Sequence, residues 1–323
     1  MTALALEVEN LSKVYGGRGG FLGGRKASLR AVDGLSFQVP RGTIFGLLGP
    51  NGAGKTTTLK ILTTLRRPSS GSAKIEGFDV VSQSLEVRKR ISLVLQETAV
   101  ELFLSVRDNL LTYARFHGVD SREAARRADE VMTLFELRPE SERKVQDLSG
   151  GFKRRVQVAK AFLIQTPVLF LDEFSTGMDP ILKRSVMDAL RKEAARGRTI
   201  VLTTQILNEA EELCEDILIL NKGREIARGN LNTLKLLSQT AYEIVMNFET
   251  LPQGIREEIA KLNPLHVSID GNTVEFGLKT GEIQALDAAA TLARKGRVLR
   301  VEIGGASLED VFVELTQKTP PAV

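Results

Sequence analysis

Residues 43–62 read TIFGLLGPNGAGKTTTLKIL, and the order of the parts decides the fold. The apolar run TIFGLL (43–48) reads as a buried strand. GPNGAGKT (49–56) follows it and fits G-x-x-x-x-G-K-[ST] without a gap. TTTLKILTTL (56–65) then reads as a helix of about two to three turns. A strand, a glycine-rich loop and a helix in this order make the setting in which that spacing holds phosphate. Gly49, Gly52 and Gly54 let the backbone curl around phosphate oxygens, with Pro50, Asn51 and Ala53 completing the loop. The N–H groups of residues 51–56 are expected to point inward, where the helix N-terminus adds positive potential. Lys55 is expected to reach β- and γ-phosphates, the Thr56 hydroxyl to bind Mg²⁺, and Thr57 to reach the α-phosphate.

Further along, VLFLDE (168–173) places Asp172 and Glu173 at the C-terminal end of an apolar strand, where parallel α/β sheets bind their ligands. Asp172 fits a carboxylate on the Mg²⁺ side, and Glu173 fits a base that polarises a water near the γ-phosphate. LSGG (148–151) precedes the basic stretch FKRRVQVAKAFL (152–163) and puts Ser149, Gly150 and Gly151 at a helix N-terminus. That is a second anion site. One loop already holds a triphosphate, so the second points to the γ-phosphate of another subunit's nucleotide.

The rest of the chain sets bounds. Its 323 residues suggest about two domains. With 44 basic and 40 acidic residues the excess of charge is too thin to expect nucleic acid as a partner. The division is uneven: residues 1–240 hold 36 basic and 28 acidic side chains, residues 241–323 hold 8 and 12. Apolar residues at 42% fit a globular chain with a real core. No apolar run approaches the roughly 18 residues of a membrane span, and MTALALEVENL lacks the order of a signal peptide. Cys214 is the only cysteine, which excludes an internal disulfide framework and a cysteine metal cluster. His117 and His266 lie far apart in sequence, which argues against a histidine metal site. A reducing, cytoplasmic compartment is expected.

Along the chain, strands are predicted at 4–14, 35–39, 43–48, 73–76 and 91–95, with a turn at 68–71. The glycine-rich basic stretch 16–24 reads as a surface loop, with membrane or partner contact as a second reading. Helical spacing at 105–116, 121–136 and 152–165 marks a helical subdomain at about 98–164. Strands at 168–173, 199–204 and 216–221 then alternate with helices at 181–196 and 207–214, and a turn follows at Lys222–Gly223. Residues 231–240 are expected to be a linker, 241–319 a small α/β domain, and 320–323 a frayed tail. No chemical constellation is visible in the C-terminal domain.

Taken together, GPNGAGKT, Gln96 at a strand end, LSGG, LFLDE (169–173) and STGMDP (175–180) resemble the ATP-binding subunit of an ABC transporter over about residues 4–230. The resemblance implies a RecA-like P-loop NTPase core with an antiparallel β subdomain and an α-helical subdomain, binding ATP and Mg²⁺. It implies that Tyr15 stacks on adenine and that Gln96 touches Mg²⁺ and the water region while sensing the membrane partner. It further implies that Ser149, Gly150 and Gly151 close over ATP held by a second copy, and that Asp179 communicates across the homodimer. Two positions depart from the family: Phe152 stands where glutamine is usual, and Gln205, in LTTQ, stands where a histidine contacts the γ-phosphate. Glutamine donates and accepts a hydrogen bond but cannot become a cation. Catalysis is therefore expected from Glu173 and Lys55, with Gln96 and an uncharged Gln205 orienting water and phosphate. LTTQ and the ending ASLEDVFVELT (306–316) resemble the daunorubicin/doxorubicin resistance type of ATPase, which drives ABC-2 permeases. An integral membrane permease docking near Gln96 and ELFLSVRDNL (101–110) is the implied partner, with the chain peripheral on the cytoplasmic face of the membrane. Drug, lipid and polysaccharide cargo all remain open. The rival expectations are a soluble ABC ATPase acting outside transport, and an ATP-binding regulatory subunit with weak turnover because of Gln205.

Overall fold

The computed structural model describes residues 3–16, 28–96, 99–237, 241–305 and 307–317. Its chain opens with two long strands, β1 (Leu4–Tyr15) and β2 (Leu29–Pro40). β3 (Ile44–Leu48), α1 (Lys55–Leu62), β4 (Ser70–Ile75), β5 (Phe78–Asp79), α2 (Ser84–Arg88) and β6 (Ile91–Val94) follow. Three helices come next, α3 (Val106–Phe116), α4 (Ser121–Leu134) and α5 (Gly150–Leu163). The alternating pattern then resumes with β7 (Val168–Asp172), α6 (Pro180–Ala195), β8 (Thr199–Thr204), α7 (Leu207–Leu213), β9 (Asp216–Asn221) and β10 (Arg224–Gly229).

Two sheets result, because the strands carry two different patterns. β1 and β2 mix buried and exposed positions, and with β4 and β5 they form an antiparallel sheet of order β2-β1-β4-β5. β3, β7 and β8 are buried at every residue, as parallel strands covered on both faces must be. They lie inside a six-stranded sheet of order β10-β9-β3-β8-β7-β6. One core joins the two sheets through α1: Leu6, Val8, Leu35 and Phe37 share it with Leu59, Ile61, Phe45, Val201 and Leu218. Phe37 and Phe45 stack at 5.3 Å between ring centroids. Burying one such ring contributes about 2–3 kcal/mol.

The crossover order places the functional loops. Leu48 pairs with Thr204 and Asp172 with Thr203, so β3, β7 and β8 end side by side. The phosphate loop, the Asp172–Glu173 turn and Gln205 therefore leave one edge of the sheet. Local caps fix the helices that follow: Ser105 accepts from the Asp108 N–H, Asp120 from those of Arg122 and Glu123, and Asp179 from those of Ile181 and Leu182. Phe135 meets Phe162 edge-on at 5.4 Å and ties α4 to α5.

The chain divides into two compact units, 1–226 and 227–323. In the second unit, α8 (Leu231–Leu237) precedes β11 (Ala241–Phe248), α9 (Ile255–Ala260), β12 (His266–Asp270), β13 (Thr273–Lys279), α10 (Glu282–Ala293), β14 (Val298–Gly304) and α11 (Leu308–Gln317). Its antiparallel sheet has the order β12-β13-β11-β14, and Ile244, Met246, Phe248, Phe276 and Leu292 form its core.

Some expectations differ from this architecture. Residues 231–237 are a helix, not a linker: Leu234 is buried, and α8 packs on α11, where Leu308 and Val311 are buried. β2 begins at Leu29 rather than near 35, and α2 and β10 have no counterpart in the sequence reading. β10 follows the Lys222–Gly223 turn, whose φ values of 48° and 82° belong to a tight hairpin connection. Ser70 and Gly71 open β4 instead of closing a turn. Most of the glycine-rich stretch, from residue 17, and the tail 320–323 lie outside the described residues. Among the described residues, no helix is long and apolar enough to cross a membrane. Cys214 is buried, and burial pushes its thiol pKa up, so it is not a reactive thiol.

Candidate functional site

The site starts at the turn from β3 into α1. Gly54 closes this turn at φ 105°, and Lys55 opens the helix with its side chain folded back under the loop. Its Nζ donates to the carbonyls of Gly49 at 2.7 Å and Pro50 at 3.2 Å. Burial pulls the ammonium pKa below the ordinary lysine value, and the carboxylates of Glu173 and Asp172 pull it back. A cation is thus held ready beneath the loop, with carbonyls in place of an anion.

Asp172 stands at the end of β7, 1% exposed. Its Oδ1 accepts from the hydroxyl of Thr203 on the neighbouring strand and, at 3.4 Å, from that of Thr56. Its Oδ2 is buried without a partner. A buried carboxylate oxygen left unpaired next to a threonine hydroxyl fits a hard divalent cation, which takes oxygen ligands. Asp172, Thr56 and Gln96 supply such donors.

Glu173 follows in a left-handed conformation, φ 48°, with its N–H on the Thr203 carbonyl at 3.0 Å. Gln96, two residues beyond β6, donates through Nε2 to Glu173 Oε2 at 3.1 Å. These side chains line one cavity of about 300 Å³ with Tyr15, Leu29, Ala31 and Asn51 to Thr57. Tyr15 keeps 39% of its surface exposed at the rim.

Not every expected residue comes to this cavity. Ser149 caps α5 by accepting from the Phe152 N–H at 3.4 Å, and Gly150 and Gly151 form the first turn. Gly151 passes close to the loop after β7, where an added Cβ would lie 3.0 Å from the Gly177 carbonyl. Asp179 in that loop takes Arg155 Nη2 at 2.7 Å. The Leu182 N–H, together with Arg155, holds its carboxyl below the usual range. Phe152, in the position where glutamine is usual, lies under the Arg155 guanidinium at 4.8 Å. None of Ser149, Gly150, Gly151 or Asp179 lines the cavity. Gln205 leaves β8 exposed and does not line it either.

The structure also brings in residues that sequence reading missed. Leu29 and Ala31 line the cavity because β2 is longer than its alternation indicated. Thr203 orders Asp172, and LTT in the strand was its only signal. Glu209 on α7 is 1% exposed and accepts from Thr204 Oγ1 at 2.9 Å, from Lys183 Nζ at 2.8 Å and from the Ser175 hydroxyl. It ties the strand before Gln205 to the loop after Glu173. Arg154 on α5 donates to backbone carbonyls beside both Gln96 and Glu173.

The family model for ABC transporters matches residues 32–176. The daunorubicin resistance ATP-binding protein DrrA3 of Streptomyces coeruleorubidus is 34% identical, covering 98% of this chain and 97% of its own. The Nod factor export ATP-binding protein I of Burkholderia thailandensis is 38% identical over 88% of this chain and 91% of its own. Relatives of both kinds are similarly close, so the likeness does not single out the drug-resistance type. Among solved structures, an ATP-binding subunit of an ABC transporter superposes with a TM-score of 0.64 at 28% identity, covering 72% of this chain and 92% of the other. A dimeric ATP-binding cassette in a post-hydrolysis state with ADP and Pi gives 0.63 at 24% identity, over 70% and 98% of the two chains, and shares the fold.

Proposed function

The chain belongs to the ATP-hydrolysing subunits of the ABC transporter family, and from that premise we propose that two copies enclose two ATP molecules and power export through a separate membrane permease. The observation that carries this reading is the separation of the phosphate-binding parts within one chain. Lys55, Thr56, Gln96 and Glu173 line the cavity, whereas the Ser149–Gly151 turn, a helix N-terminus, is not part of its lining. A second copy, turned about a twofold axis, would bring its Ser149–Gly151 turn to the γ-phosphate.

In this arrangement Tyr15 stacks on the base, and the N–H groups from Asn51 to Thr57 take the phosphates. Lys55 exchanges the Gly49 and Pro50 carbonyls for phosphate oxygens and stabilises the charge that develops on the γ-phosphoryl group. Asp172 and Thr56, with Gln96, hold Mg²⁺, which when bound neutralises phosphate charge. Glu173 accepts a proton from the attacking water, and Gln96, already bonded to its carboxylate, helps orient that water. Gln205 at the end of β8 orients the γ-phosphate without adding charge. Asp179 passes the state of one site to the other through the loop after β7. Leu102 and Phe103, 45% and 77% exposed just before α3, offer an apolar seat for a cytoplasmic segment of the permease. The relatives' names cover a drug and a Nod factor, and the permease, not this chain, would select among drug, lipid and polysaccharide cargo.

Glu173→Gln tests the chemistry and the dimer together. Turnover should fall by about 10²–10⁴-fold, the usual contribution of a general base. Light scattering with MgATP should show a dimer that Ser149→Arg abolishes. Full turnover in Glu173→Gln would remove Glu173 from the role of base. A monomer in the presence of MgATP would remove the two-copy arrangement. Recovery of the chain from membranes without any integral membrane protein would count against the permease.

A further inference from the structure

Arg154 lies in the second turn of α5, just after the Ser149–Gly151 turn, and is 5% exposed. Its Nη2 donates to the carbonyls of Asp172 at 2.7 Å and Glu173 at 2.8 Å. Its Nη1 donates to the Leu95 carbonyl and to Gln157 Oε1, the latter at 2.9 Å. Gln157, nearly one turn on, donates to the same Leu95 carbonyl at 2.9 Å. Leu95 is the residue before Gln96. One planar fork therefore binds three backbone carbonyls: two at the turn that carries the metal-side carboxylate and the base, and one at the approach to Gln96.

Two further observations indicate what this clamp does. Glu173 is a non-glycine residue at φ 48°, a conformation that its surroundings must impose. Its N–H is held by Thr203 and its carbonyl by Arg154. Moreover, Arg154 makes no ion pair among the described residues, its Nε is buried without a partner, and the charges of Asp172 and Glu173 act on it only through space. An apolar side chain here would avoid the cost of burying a charge but would take the donors from the Asp172 and Glu173 carbonyls, so what keeps a guanidinium at this position is the set of bonds it directs. What a guanidinium adds is direction: its fork fixes the carbonyls relative to one another and to the helix that carries it.

We propose that Arg154 is a positioning residue for hydrolysis, coupling the helix that presents Ser149–Gly151 to the backbone that aims Glu173 and Gln96. The inference rests on the reading of Glu173 as the base. When the Ser149–Gly151 turn engages nucleotide on a second copy, a shift of α5 is passed through the clamp to the base, so that hydrolysis follows assembly. Among the described residues Arg154 makes no hydrogen bond to the phosphate loop or Tyr15 and does not line the cavity, and so it acts on the chemical step more than on nucleotide affinity.

The test uses the full-length chain with Arg154→Ala, Arg154→Gln and Arg154→Lys, each alone and combined with Glu173→Gln. Turnover and the KM for MgATP are measured at steady state, and hydrolysis in the double variants is followed in single turnover. Arg154→Ala should lower kcat by about 10²-fold, the scale of a 1 Å misplacement of a reacting group, with KM changed less than about 3-fold. Arg154→Lys should not restore turnover, because a point charge cannot span carbonyls from two segments. In the Glu173→Gln background, Arg154→Ala should cost less than about a further 3-fold, because its effect runs through Glu173. Multiplication of the two losses, a KM that rises as kcat falls, or rescue by Arg154→Lys would overturn the proposal. If Arg154→Ala does not fold, Arg154→Gln keeps a long polar side chain and carries the same readouts. Full turnover in Glu173→Gln alone would count against the base assignment and not against the clamp, whose coupling is then read in a Gln96→Ala background.

Discussion

Adding a methyl group to each of two glycines in the phosphate loop separates backbone strain from steric contact. Gly52 and Gly54 both have positive φ, 81° and 105°. A Cβ on Gly52 would meet nothing within 4 Å, whereas one on Gly54 would lie 2.4 Å from the Ala31 carbonyl oxygen and 3.4 Å from Gly223 Cα. Both alanines incur the cost of an L-residue at positive φ, about 1 kcal/mol. Only Gly54→Ala must also push β2 from the loop, and overpacking against backbone adds about 2 kcal/mol. Ligand-free Gly52→Ala should therefore lose about 1 kcal/mol and Gly54→Ala about 3 kcal/mol. For a unit of this size, that corresponds to falls in Tm of about 3 °C and about 9 °C. The chain has no tryptophan, so unfolding is followed by circular dichroism at 222 nm, with urea midpoints as a second measure. The compact unit that holds the loop must be scored by its own transition. Equal destabilisation by the two substitutions would refute the reasoning, because it would mean that the Ala31 carbonyl yields and the loop is not wedged against β2.

Other consequences follow from the buried polar groups. The Lys55 ammonium has its pKa pulled down by burial, and phosphate should raise it again, so ATP binding at alkaline pH below 10.5 should take up protons; calorimetry in buffers of different ionisation enthalpy measures this, and no uptake would contradict it. In the ligand-free chain the unfolded state binds more protons over the same window, so stability should rise with pH there, and Lys55→Met should remove that slope. Glu209→Leu leaves Lys183, Thr204 and Ser175 without their shared acceptor and should destabilise by about 3–5 kcal/mol, with Glu209→Gln costing less; thermal unfolding reads both. Thr203→Val removes the hydroxyl that orders Asp172 and should raise the KM for MgATP by about 10-fold, equivalent to about 1.4 kcal/mol for one hydrogen bond to a charged group. An unchanged KM would show that Asp172 needs no such support.

Much of the site was legible because its chemistry is local. Gly49 to Thr57 are consecutive, and a strand, a turn and a helix of fixed lengths fold them into one loop wherever they occur. Asp172 and Glu173 end an apolar strand, and the position of a strand end in a parallel sheet follows from the chain pattern. Elements whose form depends on partners were not readable. Residues 29–34 carry little alternation and become strand only by pairing with β1. Residues 231–237 are too short a stretch to declare a helix by themselves, and they take that form where α8 packs on α11, with Leu234 buried.

By itself the sequence determined which groups are available: a lysine and a threonine at a helix start, two carboxylates at a strand end, a capped SGG turn, and a glutamine at position 205. Each follows from backbone geometry over a few residues. Only the tertiary structure decided which of them meet. It brought Gln96 to Glu173, placed Thr203 on Asp172, left Asp172 Oδ2 unpaired, left Ser149–Gly151 out of the cavity lining, and seated Arg154 on three carbonyls from two distant segments. The reason is that strand order in the sheet, not position in the chain, sets which ends lie side by side, and that order is chosen by packing over the whole core.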